Sequence, residues 1–192
     1  MYIAFEGIDT VGKSTQITRL AQKFPDAIVT KEPGGTPLGK KIRSILLEEG
    51  AIEAKAEILL FLADRAEHTE RIIRPNLGRL ILSDRSFISG IAYAHVHEGI
   101  DIDTLLQLNR FATSNLLPDR IVLFTIDETT LQSRLGAKSH DAIEMRGTSY
   151  MMQVQESMKK IVDTLKIDHI IIDATAPIDA ITDQLINYIM QG

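Results

Sequence analysis

Gly7-Ile8-Asp9-Thr10-Val11-Gly12-Lys13-Ser14 matches the pattern G-x-x-x-x-G-K-[ST]. The chemistry requires this spacing. The glycines let the backbone curl until consecutive N–H groups point inward at phosphate oxygens, and the helix that follows adds its positive N-terminal end. Lys13 supplies a point charge for β- and γ-phosphates, and the Ser14 hydroxyl is a ligand for Mg²⁺. Average residue usage gives a chance match in under about 1% of chains this long. The expected donor-nucleotide site is therefore Gly7, Ile8, Asp9, Thr10, Val11, Gly12, Lys13, Ser14 and Thr15.

A second carboxylate fits this picture. Leu80-Ile81-Leu82-Ser83-Asp84 is an apolar run ending in an acid. At the carboxyl edge of a sheet such an Asp can hold Mg²⁺ through water, although it can equally cap the segment that follows. A phosphate loop specifies a nucleotide, not a reaction. No Asn-Lys-x-Asp guanine reader exists here. Arg43, Arg65, Arg85, Arg134 and Arg146 offer instead the cations that transfer between two mutually repelling anions requires.

These residues need a scaffold. Residues 2–5, 27–30, 80–83, 121–126 and 169–172 are short β-rich apolar runs, as expected of strands buried in a parallel sheet. Helical periods separate them. Ile17, Leu20, Ala21 and Phe24 share one face; Met151, Val154, Met158, Ile161 and Leu165 step by three and four; so do Ile178, Ile181, Leu185 and Ile189, with Pro177 expected in the first turn. The alternation predicts an α/β fold: a five-stranded, doubly wound parallel sheet in a single domain spanning 1–192.

Composition agrees. The 192 residues are 44% hydrophobic and 24% charged, within the globular range. The absence of Cys excludes disulfides, thiolate zinc sites and cysteine nucleophiles. A net charge of −5 implies no general nucleic-acid surface. The apolar N-terminus is interrupted by Glu6, and the apolar run 58–63 is too short to span a bilayer, so a soluble, cytoplasmic protein is expected.

Several further pieces, in this order and spacing, carry a family resemblance. They are Phe5-Glu6-Gly7-Ile8-Asp9, Lys31-Glu32-Pro33-Gly34-Gly35-Thr36, Phe61-Leu62-Ala63-Asp64-Arg65, Ser83-Asp84-Arg85-Ser86 and Leu117-Pro118-Asp119. Together they resemble the thymidylate kinase family along essentially the whole chain. The resemblance implies a phosphate-loop kinase fold with a short lid, near 136–147. It also implies Mg²⁺-dependent transfer of the γ-phosphoryl of ATP to thymidine monophosphate, a step towards the triphosphate, in a homodimer. The residues implied to act are Lys13, Arg85, Asp9 and Arg134 in catalysis. Asp9, Arg43, Phe61, Arg65, Arg85, Ser89, Gly90 and Tyr93 would hold the acceptor, and Ser14, Asp9 and, through water, Asp84 the metal. In that assignment Phe61 stacks on thymine, Arg65 donates to a base carbonyl, Arg85 spans both phosphates, and Tyr93 lies against the deoxyribose. Phe61 and Arg65, at i and i+4, share a helix face.

The chain departs from the family at several positions. Ser86 stands where Tyr or His is usual, and Gly90 where an amide or hydroxyl often meets the base. Thr10 replaces the loop Arg of one branch, which points to the bacterial-type branch with basic residues in the lid. Yet the lid reads Asp141-Ala142-Ile143-Glu144, without the usual Arg. Arg134, then Arg146, then Lys138 are the candidate replacements. His95 and His97 lie on different helix faces, and all five His are expected at the surface or in packing. From the residues alone, a kinase of another small acceptor and a nucleotide-dependent switch without transferase activity stay open.

Overall fold

The structure is a computed structural model, and it describes residues 1–48, 52–136 and 147–191. Lys138, Arg146 and the 141–144 stretch lie outside the described residues, as does most of the expected lid.

Five parallel strands run β1 (Tyr2–Glu6), β2 (Ile28–Lys31), β3 (Ile81–Asp84), β4 (Arg120–Thr125) and β5 (Asp168–Asp173), in the spatial order β2-β3-β1-β4-β5. Each expected strand is present within a residue or two at either end. β1 is buried at every position and β4 at its four central ones, as a sheet covered on both faces requires. The edge strands β2 and β5 are more exposed.

The chain leaves β1 towards β2 on one side, and leaves β3 towards β4 on the other. The crevice between the carboxyl ends of β1 and β3 is therefore the topological switch point, where open α/β sheets bind ligands. Register brings the functional ends level: Phe5 pairs with Asp84, and Asp84 with Lys31.

The helices are α1 (Lys13–Lys23), α2 (Pro37–Glu48), α3 (Ala54–His68), α4 (Phe87–Glu98), α5 (Ile102–Ala112), α6 (Glu128–Leu135), α7 (Thr148–Thr164) and α8 (Ile178–Met190). Ile17 and Leu20 of α1 are buried, as are Met151, Val154, Met158 and Ile161 of α7. In α8 the stripe holds for Ile181, Leu185 and Ile189, but Ile178 is 54% exposed. Ile178 begins the helix, and Pro177 stands one place before it as the N-cap. No helix among the described residues is long and apolar enough to cross a membrane.

α3 inverts the hydropathy rule. Its fully buried residues are Asp64, Arg65 and His68, while Leu59, inside the apolar run, is 61% exposed. The charged side faces inward because the loop after β2 lies there. Asp64 Oδ1 accepts from Gly34 N (3.0 Å), and His68 Nδ1 faces Glu32 Oε1 (2.8 Å) while its Nε2 meets Thr30 Oγ1 (2.6 Å). The Gly-rich loop permits that approach. A Cβ at Gly35 would lie 2.7 Å from the Lys31 carbonyl and from the His68 ring.

Candidate active site

The phosphate loop follows β1 directly and ends where α1 begins. Gly7 (φ 139°) is pressed against β4, where a Cβ would come within 2.7 Å of the Phe124 carbonyl. Gly12 (φ 90°) is the N-cap of α1. Thr10 also takes a positive φ of 67°, an uncommon conformation for a residue with a Cβ. Ile8 and Val11 are buried in the core, so their contribution to a phosphate is backbone alone. Thr10 Oγ1 is buried without a partner, an orphaned polar atom in the loop itself.

Lys13 is 6% exposed, and its Nζ donates to the carbonyls of Gly7 (2.9 Å) and Ile8 (2.8 Å). Burial, and next the charge of Arg85, push this ammonium down to about 8. Ser14 Oγ donates to Asp84 Oδ2 at 2.8 Å. A hydroxyl and a carboxylate meeting at the loop form an all-oxygen donor set. That suits Mg²⁺, which keeps waters and takes one or two protein oxygens beside substrate phosphates.

Arg85 also has a positive φ, 74°. Strain of this kind clusters at functional sites, where surrounding contacts over-determine it. Here Nη1 donates to the Gly7 carbonyl (2.9 Å) and Ser89 Oγ (2.9 Å), and Nη2 to Asp9 Oδ1 (2.6 Å). Burial works against the charge on Arg85; Asp9 outweighs it and holds the guanidinium firmly protonated. Tyr93 lies 5.8 Å beneath that guanidinium, and burial raises its phenol well above the usual range.

Two clefts open along the sheet's carboxyl edge. One is lined by the phosphate loop (Thr10, Gly12, Lys13, Ser14, Thr15), Asp84 and Lys31. The other is lined by Phe61, Arg65, Ser89, Gly90 and Tyr93. Asp9, Glu32, Arg43 and Arg85 line both. All eight residues expected around an acceptor thus come together in one cleft. Arg43 Nη1 rests on the Pro33 carbonyl at 3.2 Å. Arg134 lines neither cleft. It reaches the loop from the side, Nη1 donating to the Thr10 carbonyl (3.1 Å) and Nη2 to the Ala174 carbonyl (2.8 Å).

Sequence reasoning missed the residues that hold these groups in place. Glu6 is wholly buried and accepts from Ser86 N (2.8 Å), Ser86 Oγ (2.7 Å) and Ser89 Oγ, fixing the start of α4. Glu32 pairs with Arg65 Nε at 2.7 Å. Burial alone would raise the Glu32 carboxyl; Arg65 and His68 outweigh it and lower it. Asn109, on α5, accepts from Arg65 Nη1. The only signal for Glu32 was its place in the Lys31–Thr36 run. Asn109 had none, because it acts through an element far away in sequence. His68 is a packing residue as expected, but one inside a polar network.

Comparison with known proteins places this geometry in context. A family profile described as "Thymidylate kinase" matches residues 5–185. A protein named thymidylate kinase from Sulfurimonas denitrificans is 51% identical over 98% of this chain and 99% of its own. One of the same name from Campylobacter concisus is 53% identical over 98% of both chains. Another, from Wolinella succinogenes, is 48% identical over 100% of both.

Proposed function

The chain belongs to the thymidylate kinase family, and from that premise we propose a role for each residue along its two clefts. The reaction is ATP-dependent phosphorylation of thymidine monophosphate to the diphosphate. The observation that carries the assignment is that Arg85 and Asp9 line both clefts at once. Donor and acceptor phosphates entering from the two sides meet at one guanidinium.

On the donor side, the loop from Gly7 to Thr15 wraps the ATP phosphates with its backbone N–H groups. Lys13 exchanges its two loop carbonyls for phosphate oxygens. Ser14, Asp84 and Asp9 are the residues that would hold Mg²⁺. The metal, when bound, neutralises phosphate charge and fixes the phosphates' orientation. Arg134 braces the loop through Thr10 and keeps N–H groups free for the donor. It is the first candidate for the cation that the lid, residues 136–147, otherwise lacks at Ala142.

On the acceptor side, Phe61 stacks on the base and Arg65 donates to it. Tyr93 lies against the sugar, Arg43 and Arg85 take the phosphate, and Asp9 orients the acceptor. Ser89, held by Glu6, supports Arg85. Gly90 leaves room at the base edge. We read the protein as one domain, cytoplasmic and homodimeric, serving thymidine triphosphate synthesis. The exposed Leu59 of α3 and Phe111 of α5 support a self-association surface.

A steady-state assay with ATP, Mg²⁺ and a panel of nucleoside monophosphates tests the assignment. Thymidine monophosphate should be the preferred acceptor by kcat/KM. Slow ATP hydrolysis that ignores every acceptor would sink it.

A further inference from the structure

Residues 31–43 carry four cations, Lys31, Lys40, Lys41 and Arg43, against one acid, Glu32, in a chain whose net charge is −5. That acid is buried and already hydrogen-bonded to Arg65 and His68. The segment is therefore a positive patch on an acidic protein, and positive potential beside a cleft collects anions. Arg43 lines both clefts, and Lys31 lines the one that contains the phosphate loop; Lys40 and Lys41 line neither. Lys13 donates to loop carbonyls and Arg85 to Asp9. Lys31 is exposed and, among the described residues, makes no hydrogen bond or ion pair.

The sheet fixes the side on which Lys31 emerges. Lys31 ends β2 and pairs with Asp84, which ends β3, and the Glu32 N–H donates to the Asp84 carbonyl (3.0 Å), carrying the ladder one step further. Side chains at paired positions of neighbouring strands leave the sheet on the same face. The Asp84 carboxylate meets Ser14 in the first turn of α1, so Lys31 also emerges on the phosphate-loop side. The order β2-β3-β1 sets the reach. The loop follows β1, and Lys31 stands two strands away, about 10 Å at the usual strand spacing. The loop backbone cradles the inner phosphates of a nucleotide. In a row of three, the terminal phosphate is the one that extends over β3 towards Lys31.

We propose that Lys31 is a further binding residue for the donor: its ammonium takes an oxygen of the terminal phosphate of ATP, and so separates ATP from ADP. This rests on the reading of the phosphate-loop cleft as the donor site. ADP lacks that phosphate and leaves Lys31 in water. Lys13, by contrast, serves both nucleotides, because it reaches the β-phosphate that they share. The acceptor phosphate is the poorer match for Lys31, which does not line the cleft of Phe61 and Tyr93. A point charge on a flexible four-carbon stem suits a phosphate that arrives and leaves. The contact is made with the donor before transfer, so it acts on donor affinity. Because the ammonium is exposed, salt screens it.

The test is titration calorimetry of the full chain with ATP and with ADP, each with Mg²⁺, and with thymidine monophosphate alone. Lys31→Met should weaken ATP roughly 5–20-fold and leave ADP and thymidine monophosphate within about twofold. Lys31→Arg, which keeps the charge, should retain most of the ATP affinity. Lys41→Met removes the same charge from the same patch without lining either cleft, and should leave all three ligands unchanged. Equal weakening of ATP and ADP in Lys31→Met, or weakening of thymidine monophosphate in their place, overturns the proposal. So does a loss in Lys41→Met as large as that in Lys31→Met, which would make the effect one of the patch and not of a contact. A wild type that binds no ATP overturns the proposal together with the donor reading. A wild type that binds ATP beside a Lys31→Met variant that binds it equally well overturns the proposal alone.

Discussion

Ser14 Oγ donates to Asp84 Oδ2 at 2.8 Å, joining the first turn of α1 to the last residue of β3 across 70 positions of sequence. The bond spans the switch point of the sheet. It brings a hydroxyl and a carboxylate together before any nucleotide arrives, so little reorganisation is needed when a hard cation binds between them and the phosphates.

Asp84→Asn should therefore act on the metal. Outer-shell carboxylates typically contribute 10–100-fold in metal affinity or activity. The Mg²⁺ concentration for half-maximal rate should rise by about that factor, with the acceptor KM unchanged. A titration of rate against Mg²⁺ checks it. An unaltered Mg²⁺ dependence would leave Asp84 as no more than a cap for Ser14.

Lys13 supplies a pH dependence. Burial, and next Arg85, lower its ammonium to about 8, against 10.5 for an ordinary lysine. Phosphates favour the charged form, so ATP binding above that pH must take up a proton. Affinity should fall as pH rises, by about fivefold between pH 8 and 9, and calorimetry in buffers of different ionisation enthalpy should register the uptake. Lys13→Arg should flatten the profile. Lys13→Ala should lose about 3 kcal/mol of barrier lowering, on the order of a hundredfold in rate.

Asp64 supplies a pH dependence of stability with the opposite character. Burial first, and then the neighbouring Glu32, push its carboxyl up to about 6, from 3.8. Between those values the folded chain holds a proton that the unfolded chain has released, so this contribution is present at low pH and is lost as pH rises through about 6. Asp64→Asn keeps the oxygen that accepts from Gly34 and never ionises. Urea unfolding at pH 4 and pH 7 should show the variant gaining on the order of 2 kcal/mol relative to wild type at the higher pH. Parallel pH profiles for the two proteins would refute it.

The cation that meets charge on the transferring phosphoryl group can be found by single-turnover kinetics at saturating substrates. Arg134→Ala, Arg146→Ala and Lys138→Ala are the variants, and the acting residue should lose on the order of 10³-fold. Arg134 is expected first, because it already touches the loop at Thr10. If all three stay within about threefold of wild type, the missing lid Arg is not replaced locally, and either another chain or Arg85 alone carries that charge.

Local rules carried much of this protein. Loop spacing from Gly7 to Ser14 depends on how few backbone conformations place consecutive N–H groups around a phosphate, and eight adjacent residues are enough to express it. The five strands and the α7 stripe were legible because burial of neighbouring apolar side chains repeats at the period of the element itself. Asp84 was legible for a similar reason, as the acid that ends an apolar run.

Tertiary structure alone decided the inward face of α3. Hydropathy places Leu59 inside and Arg65 outside, and the reverse holds. A buried charge is tolerated only where partners neutralise it and satisfy its hydrogen bonds. Those of Arg65 are Glu32, Ser86 and Asn109, contributed by three other segments of the chain. Their packing also depends on Gly35, in the loop after β2, and Gly90, within α4, which leave room for the side chains of His68 and Arg65. No window of sequence contains these residues together, so only the packed chain shows that Arg65 is aimed as well as present.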